Sequence, residues 1–191
     1  VLTISRERNN NKNFNLKNFL NFKKLENLIF TIKPTHIINC IGVTKFNNTY
    51  NNKKLTVSLN SKMPIYLAKY CRLNKIYLLH ISTDCVFSGK KGNYLDNSVK
   101  DSKDLYGLSK NKGEVNNEYT STIRTSFIGQ ELNTKKSLLS WFLNEKKIVR
   151  GYTKAFFSGL TSLELCKIIY NYFIKKNLLR KKILNVGSRR I

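Results

Sequence analysis

Tyr106 and Lys110 stand four residues apart in the stretch YGLSK, so on a helix a phenol and an ammonium share one face. A phenol of ordinary pKa near 10 is a poor acid–base group at neutral pH, and an adjacent ammonium favours its ionised form. The pair would serve proton transfer to or from an oxygen. Spacing alone does not single it out, because Tyr50/Lys54 and Tyr172/Lys176 repeat it in a chain with 10 Tyr. Context does: only Tyr106 follows, by some two dozen residues, a hydroxyl pair, Ser82-Thr83, that ends the apolar run KIYLLHI. The loop between them can bring hydroxyl and phenol together.

The elements that must hold these groups are legible as periodicities. Phe19, Phe22, Leu25, Leu28, Ile29 and Ile32 recur at helical spacing over 19–33, and Pro34 stops that helix before the strand in THIINCIG. Leu59, Met63, Leu67 and Tyr70 mark a second helix, followed by the buried strand KIYLLHIS. A polar loop over about 88–104 leads to a helix expected over Leu105–Glu118, strand and turn in TSTIRTSFIG, and a short helix over Leu138–Lys147. A long amphipathic helix over Ser162–Lys176 ends in a basic turn that suits its dipole, and KILNVG gives a last strand. Helices alternating with strands imply parallel βαβ units, hence a doubly wound α/β sheet whose ligands bind beyond the C-terminal strand ends. The Ser82-Thr83 pair leaves one of those ends.

Bulk properties narrow the class. At 191 residues and 41% hydrophobic content the chain can build one real core. A formal net charge of +24 would attract phosphates or nucleic acid. The basic residues are scattered pairs rather than one stripe, and Asn is as abundant as Lys at roughly one residue in seven, which points to codon bias and disfavours a nucleic-acid partner. Cys40, Cys71, Cys85 and Cys166 have no CxxC spacing, and three lie in apolar runs, which fits reduced thiols in a cytoplasm. No apolar run approaches a membrane span, and two His without a Cys or carboxylate cluster give no metal site.

The segments PTHIINCIG, SLNSKMPIYLAKYC, HISTDCVFSGKKGNY, DLYGLSKNKGEV, IRTSFIG and FFSGLTSLELCKII, in that order over nearly the whole chain, resemble the extended short-chain dehydrogenase/reductase superfamily. Within it the likeness is to dTDP-4-dehydrorhamnose reductase and related sugar-nucleotide reductases. The resemblance implies a Rossmann-like domain over 1–128 and a partial substrate-binding lobe over 129–191 interleaved with the sheet. It implies NADPH, with NADH as the alternative, a nucleotide-sugar substrate and a homodimer.

Residue by residue, the likeness makes Tyr106 the acid that protonates a sugar C4 ketone oxygen. Lys110 lowers its pKa and holds the nicotinamide ribose, and Thr83 donates to the same oxygen with Ser82 as neighbour or substitute. Asn39, Cys40, Ile41 and Gly42 would lie along the cofactor, Asn60 would position Lys110 through water, and Arg6 would meet a 2′-phosphate. Asp84, Cys85, Val86 and Phe87 would line the substrate side, and Arg150 would pair with a diphosphate. Plainer readings stand beside these: Thr83 as a backbone cap, Asp84 in an Asx turn, Asn60 as a polar helix residue, Arg6 and Arg150 solvated, and Trp141 with Phe156-Phe157 as core.

The chain departs from the family in two places. It contains no glycine-rich GxxGxxG turn, so that turn and the first strand are expected to belong to a segment preceding Val1. Cys85 stands where rhamnose reductases usually place Tyr, which puts the sugar in doubt. A non-catalytic nucleotide-binding subunit, like the regulatory subunit of methionine adenosyltransferase, is the rival reading, and a basic nucleic-acid-binding domain is the third.

Overall fold

The computed structural model describes residues 20–45, 47, 49–130, 137–178 and 181–188. Helix α1 (Phe22–Ile32) begins where the Asn21 side chain accepts from Lys24 N at 3.1 Å, and ends at Lys33 in the left-handed region (φ 50°), just ahead of Pro34. Its Leu25 and Ile29 are buried, one helical turn apart on the face the periodicity marks. Strand β1 (His36–Asn39) follows.

The second helical stretch is three pieces: α2 (Lys53–Val57), a π-helical turn over Ser58–Lys62, and α3 (Met63–Leu73). The wider turn buries Leu59, Asn60 and Ser61 together, so a polar Asn60 enters the interior beside apolar neighbours. Strand β2 (Tyr77–Ser82) then runs through Leu78, Leu79 and His80, each fully buried, as a strand covered on both faces requires.

Beyond a single turn over Asp84–Val86 and the polar loop, α4 (Leu105–Lys112) is shorter than expected: the backbone closes at Gly113 instead of continuing to Glu118. Strand β3 (Thr120–Arg124) is buried throughout, and β4 (Phe127–Ile128) pairs in parallel with β5 (Leu160–Thr161). Helix α5 spans Leu138–Asn144, α6 spans Ser162–Ile168 and continues as a π-helix over Ile169–Lys175, and β6 is Ile183–Asn185.

The main sheet is parallel with order β1-β2-β3-β6. Successive residues of β2 face opposite layers. Leu78 joins Leu25, Ile29, Leu59, Met63 and Leu67 on one side, and Leu79 joins Ile123, Leu165, Ile169 and Phe173 on the other. This is the Rossmann-like doubly wound arrangement read from the sequence. Strand β6, late in the chain, returns to the main sheet and pairs in parallel with β3.

Two expectations are corrected by burial. Trp141, Phe156 and Phe157 are exposed rather than core, with Phe156 at 96%. Of the thiols in apolar runs, Cys71 is buried, while Cys40 and Cys166 are exposed; all four are free. Tyr172/Lys176, a rival YxxxK pair, lies at the surface with the ammonium 5.7 Å from its own Tyr ring. Among the described residues no helix is long and apolar enough to cross a membrane.

Candidate active site

The C-terminal end of β2 delivers Thr83 as the cap of the Asp84–Val86 turn. Its Oγ1 accepts from Cys85 N and donates to Asp84 Oδ1, both at 3.2 Å. The plainer capping reading is therefore present, and it orients a hydroxyl that lies near the Tyr106 phenol and opposes the rise in its pKa. Helix α4 brings that phenol in. Asp104 Oδ1 accepts from Gly107 N at 3.0 Å as the N-cap, and Asp104 Oδ2 pairs with Lys45 at 3.1 Å, tying the helix start to the loop after β1. Gly107 allows the approach, since a Cβ there would run into the Cys85 carbonyl and the Ser102 side chain.

Lys110 lies one turn further along the same helix with only 4% exposure, its Nζ donating to Ile81 O at 2.6 Å. Burial drives its pKa down to about 8, with Cys40 and Glu114 offsetting part of the shift. Tyr106 moves the opposite way to the expectation. Burial pushes its phenol up to about 12, opposed by the Thr83 hydroxyl and reinforced by nearby Cys85, Asp84 and Asp104. The reason is geometric: the Lys110 ammonium is turned to the end of β2, and the phenol is set among hydroxyl and carboxylate groups. A phenol so placed keeps its proton at neutral pH, as a proton donor should.

The turn after β1 is clamped from two sides. Asn39, 3% exposed, accepts from Ile41 N at 3.1 Å and donates Nδ2 to His80 Nδ1 at 3.0 Å. Asn60 accepts from Val43 N at 2.8 Å and donates to Val43 O at 3.0 Å and Ser109 Oγ at 2.9 Å. Both Asn side chains thus shape the turn. Cys40 and Gly42 are exposed and Ile41 is half-buried. A Cβ on Gly42 would stand 3.3 Å from Asn60 Oδ1 and 3.8 Å from Lys110 Nζ, so the turn passes close to both.

The substrate-side set divides. Asp84 is exposed and Cys85 half-buried, both beside Thr83, while Val86 and Phe87 are buried. Ser82 is buried as well, its hydroxyl donating to Glu114 Oε1 at 3.0 Å. Arg150 is exposed, and Arg6 lies outside the described residues.

Residues 5–147 match the family described as the RmlD substrate binding domain. The chain belongs to that family. Over 83 residues it is 34% identical to the dTDP-4-keto-6-deoxy-D-glucose reductase of Streptomyces niveus, a match covering 43% of this chain and 29% of that protein. Over 115 residues it is 30% identical to methionine adenosyltransferase 2 subunit beta of Xenopus laevis, covering 58% and 34%. A crystal structure of a hypothetical dTDP-4-dehydrorhamnose reductase from Sulfolobus tokodaii superposes with a TM-score of 0.77 at 26% identity, over 98% of this chain and 66% of that one. The chain thus spans about a third of each of these two curated relatives.

In this RmlD-type chain, two residues beside the site escaped the sequence reading. Glu114 and Arg124 form a bidentate pair at 2.7 and 2.9 Å, with side chains 2% and 3% exposed. The available signal was Arg124 itself, a charge at the end of the buried strand TSTIR.

Proposed function

We propose that this chain is the cofactor-binding and catalytic part of an NADPH-dependent reductase acting on the 4-keto group of a nucleotide-linked deoxysugar, in polysaccharide precursor synthesis, with NADH as the alternative cofactor. The observation that carries the reading is the juxtaposition of a capped Thr83 hydroxyl and a proton-holding Tyr106 phenol at the end of β2, with Lys110 buried on the same helix. The turn after β1 suits a nicotinamide cofactor because it carries no side chain at Gly42, where a Cβ would already stand within contact distance, 3.8 Å, of the Lys110 ammonium. Cys40, Ile41 and Gly42 would lie along it, and Lys110 would hold its ribose.

NADPH supplies the hydride that reduces the ketone carbon. The Tyr106 phenol gives its proton to the ketone oxygen as charge develops there, and Thr83 donates a hydrogen bond to the same oxygen. The resulting phenolate, raised by burial, is strongly basic and regains a proton from solvent. Asp84 and Cys85 lie where the sugar would sit, and Cys85 sets a smaller, less polar wall than a Tyr would.

The test is NADPH oxidation by the protein with dTDP-4-keto-6-deoxyglucose, comparing wild type with Tyr106→Phe. Loss of at least 100-fold in kcat with unchanged cofactor affinity supports the reading, and equal rates remove Tyr106 from the mechanism. The similarity to methionine adenosyltransferase 2 subunit beta favours one rival, a nucleotide-binding regulatory subunit. That reading predicts NADPH binding with no turnover in wild type.

A further inference from the structure

The last row of the main sheet at its C-terminal edge is polar. Ser82, Arg124 and Asn185 are register neighbours on β2, β3 and β6, so their side chains rise from one face. Glu114, just past α4, sits over this row, accepting from Ser82 Oγ at 3.0 Å and from the Arg124 fork at 2.7 and 2.9 Å. Lys100, from the polar loop, stands 3.6 Å from Glu114 Oε2.

The same Arg124 reaches outward to that loop. Its Nη1 donates to Asp96 O at 2.8 Å and to Asn185 Oδ1 at 3.2 Å, and its guanidinium lies 5.3 Å from the Phe87 ring centroid. Phe87 stacks on Tyr94 at 4.4 Å, and Asn185 donates to Tyr94 O at 2.9 Å and to Asp96 Oδ1 at 2.5 Å. One buried guanidinium therefore touches the loop at Asp96 and Phe87, with Tyr94 held through Phe87 and Asn185, and is joined through Glu114 to Ser82 at the end of β2. A buried ion pair contributes little net stability, and its best-attested use is to select one arrangement among several, because removing either partner strands the other charge. An Arg suits that role here, since only a planar fork can hold a carboxylate with both arms and a carbonyl besides.

We propose that Glu114 and Arg124 are positioning residues that set the 84–104 loop against the end of β2, and so fix the wall of the sugar-nucleotide site without touching the cofactor turn. The claim about the sugar rests on the function proposed above; the claim about the loop does not.

The experiment takes Arg124→Lys, which keeps the charge and loses the fork, and Glu114→Gln, which keeps the shape and an acceptor. Hydrogen–deuterium exchange is read over the whole protein, followed by KM for dTDP-4-keto-6-deoxyglucose and the Kd for NADPH. The expected result is exchange at least 10-fold faster, confined to 84–104, with KM raised at least 10-fold and the NADPH Kd within twofold of wild type. Exchange that rises equally in β1, β2 and β3 would mark the pair as plain fold support and overturn the proposal. So would an unchanged loop in Arg124→Lys, whatever Glu114→Gln does, or a loosened loop with unchanged KM. Loop-confined exchange in a protein whose wild type shows no turnover supports the positioning role and instead overturns the reductase reading.

Discussion

Lys110 Nζ donates to the carbonyl of Ile81 at 2.6 Å, one residue before the strand end where Ser82 and Thr83 begin. The contact gives a buried ammonium a backbone acceptor and locks α4 onto the end of β2. It also explains why an ammonium four residues from a phenol does not govern that phenol: its charge is directed at a backbone dipole.

That burial makes a pH-dependent stability. Folded Lys110 holds its proton only up to about pH 8, against 10.5 for an unburied lysine. Between those values the unfolded chain binds more protons, so unfolding free energy rises with pH, by on the order of 3 kcal/mol across the whole window. The buried Cys71 thiol, raised to about 12 from 9.0, acts with the opposite sign above pH 9. Comparing Lys110→Met with wild type in urea at several values between pH 8 and 10 isolates the lysine. Wild type should gain about 2 to 3 kcal/mol relative to the variant over that interval; parallel curves would contradict the burial-driven shift.

Thr83 combines a cap and a donor, and two substitutions separate its roles from simple bulk. Thr83→Ser retains the acceptor for Cys85 N and the hydroxyl beside Tyr106, so kcat should stay within a few-fold. Thr83→Ala loses both, and kcat for the 4-keto sugar should fall about 100-fold, as when one donor to a developing oxyanion is removed. Steady-state rates of the two variants at saturating NADPH give the comparison. Equal rates would leave Thr83 as a turn cap only.

Much of this arrangement was legible. The periodicities in 54–73 and 75–82 placed a helix and a strand where they occur, and a hydroxyl pair at a strand end together with a phenol on the next helix marked the residues proposed as the site. What stayed hidden was side-chain direction. Ser82 and Thr83 are chemically alike, and only strand alternation sends one hydroxyl to Glu114 and the other to Tyr106. Asp84 to Phe87 read as one substrate-side loop, yet the single tight turn buries Val86 and Phe87 and leaves Asp84 outside. Trp141 and Phe156 failed for another reason: an apolar side chain calls for cover, and its type cannot say whether neighbouring residues supply it. The Glu114–Arg124 pair joins residues from two elements, so no local pattern announces it.

His80 gives an acid-side prediction. Its Nδ1 accepts from Asn39 Nδ2, so the ring is neutral with its proton on a buried Nε2 that has no hydrogen-bond partner among the described residues. Burial, followed by the Lys110 charge, holds its pKa well below 6.5. As pH falls through 6.5 the unfolded imidazole takes a proton that the folded one refuses, so stability is lost progressively on acidification. In His80→Gln, which retains an acceptor for Asn39, this part of the acid limb should flatten. Chemical denaturation at pH 7 and pH 5 measures it; an identical loss in both proteins would clear His80 of the effect.

Gly107 tests whether the site depends on close approach of α4 to the Asp84–Val86 turn. By helix propensity alone, Gly107→Ala should stabilise α4 by up to about 1 kcal/mol. Against that, the added Cβ would run into the Cys85 carbonyl, a backbone atom that cannot rotate aside, as well as into the Ser102 side chain. Forcing such a contact costs roughly 1 to 3 kcal/mol, so the net change should be destabilising. The helix start must lift from the turn, separating Tyr106 from Thr83 while Lys110, a turn further on, keeps its bond to Ile81. The expected signature is a fall in kcat of at least 10-fold with NADPH affinity preserved, read by steady-state kinetics beside a cofactor titration. A more stable Gly107→Ala protein with full kcat would mean that the packing of α4 on the turn does not set the distance between phenol and hydroxyl.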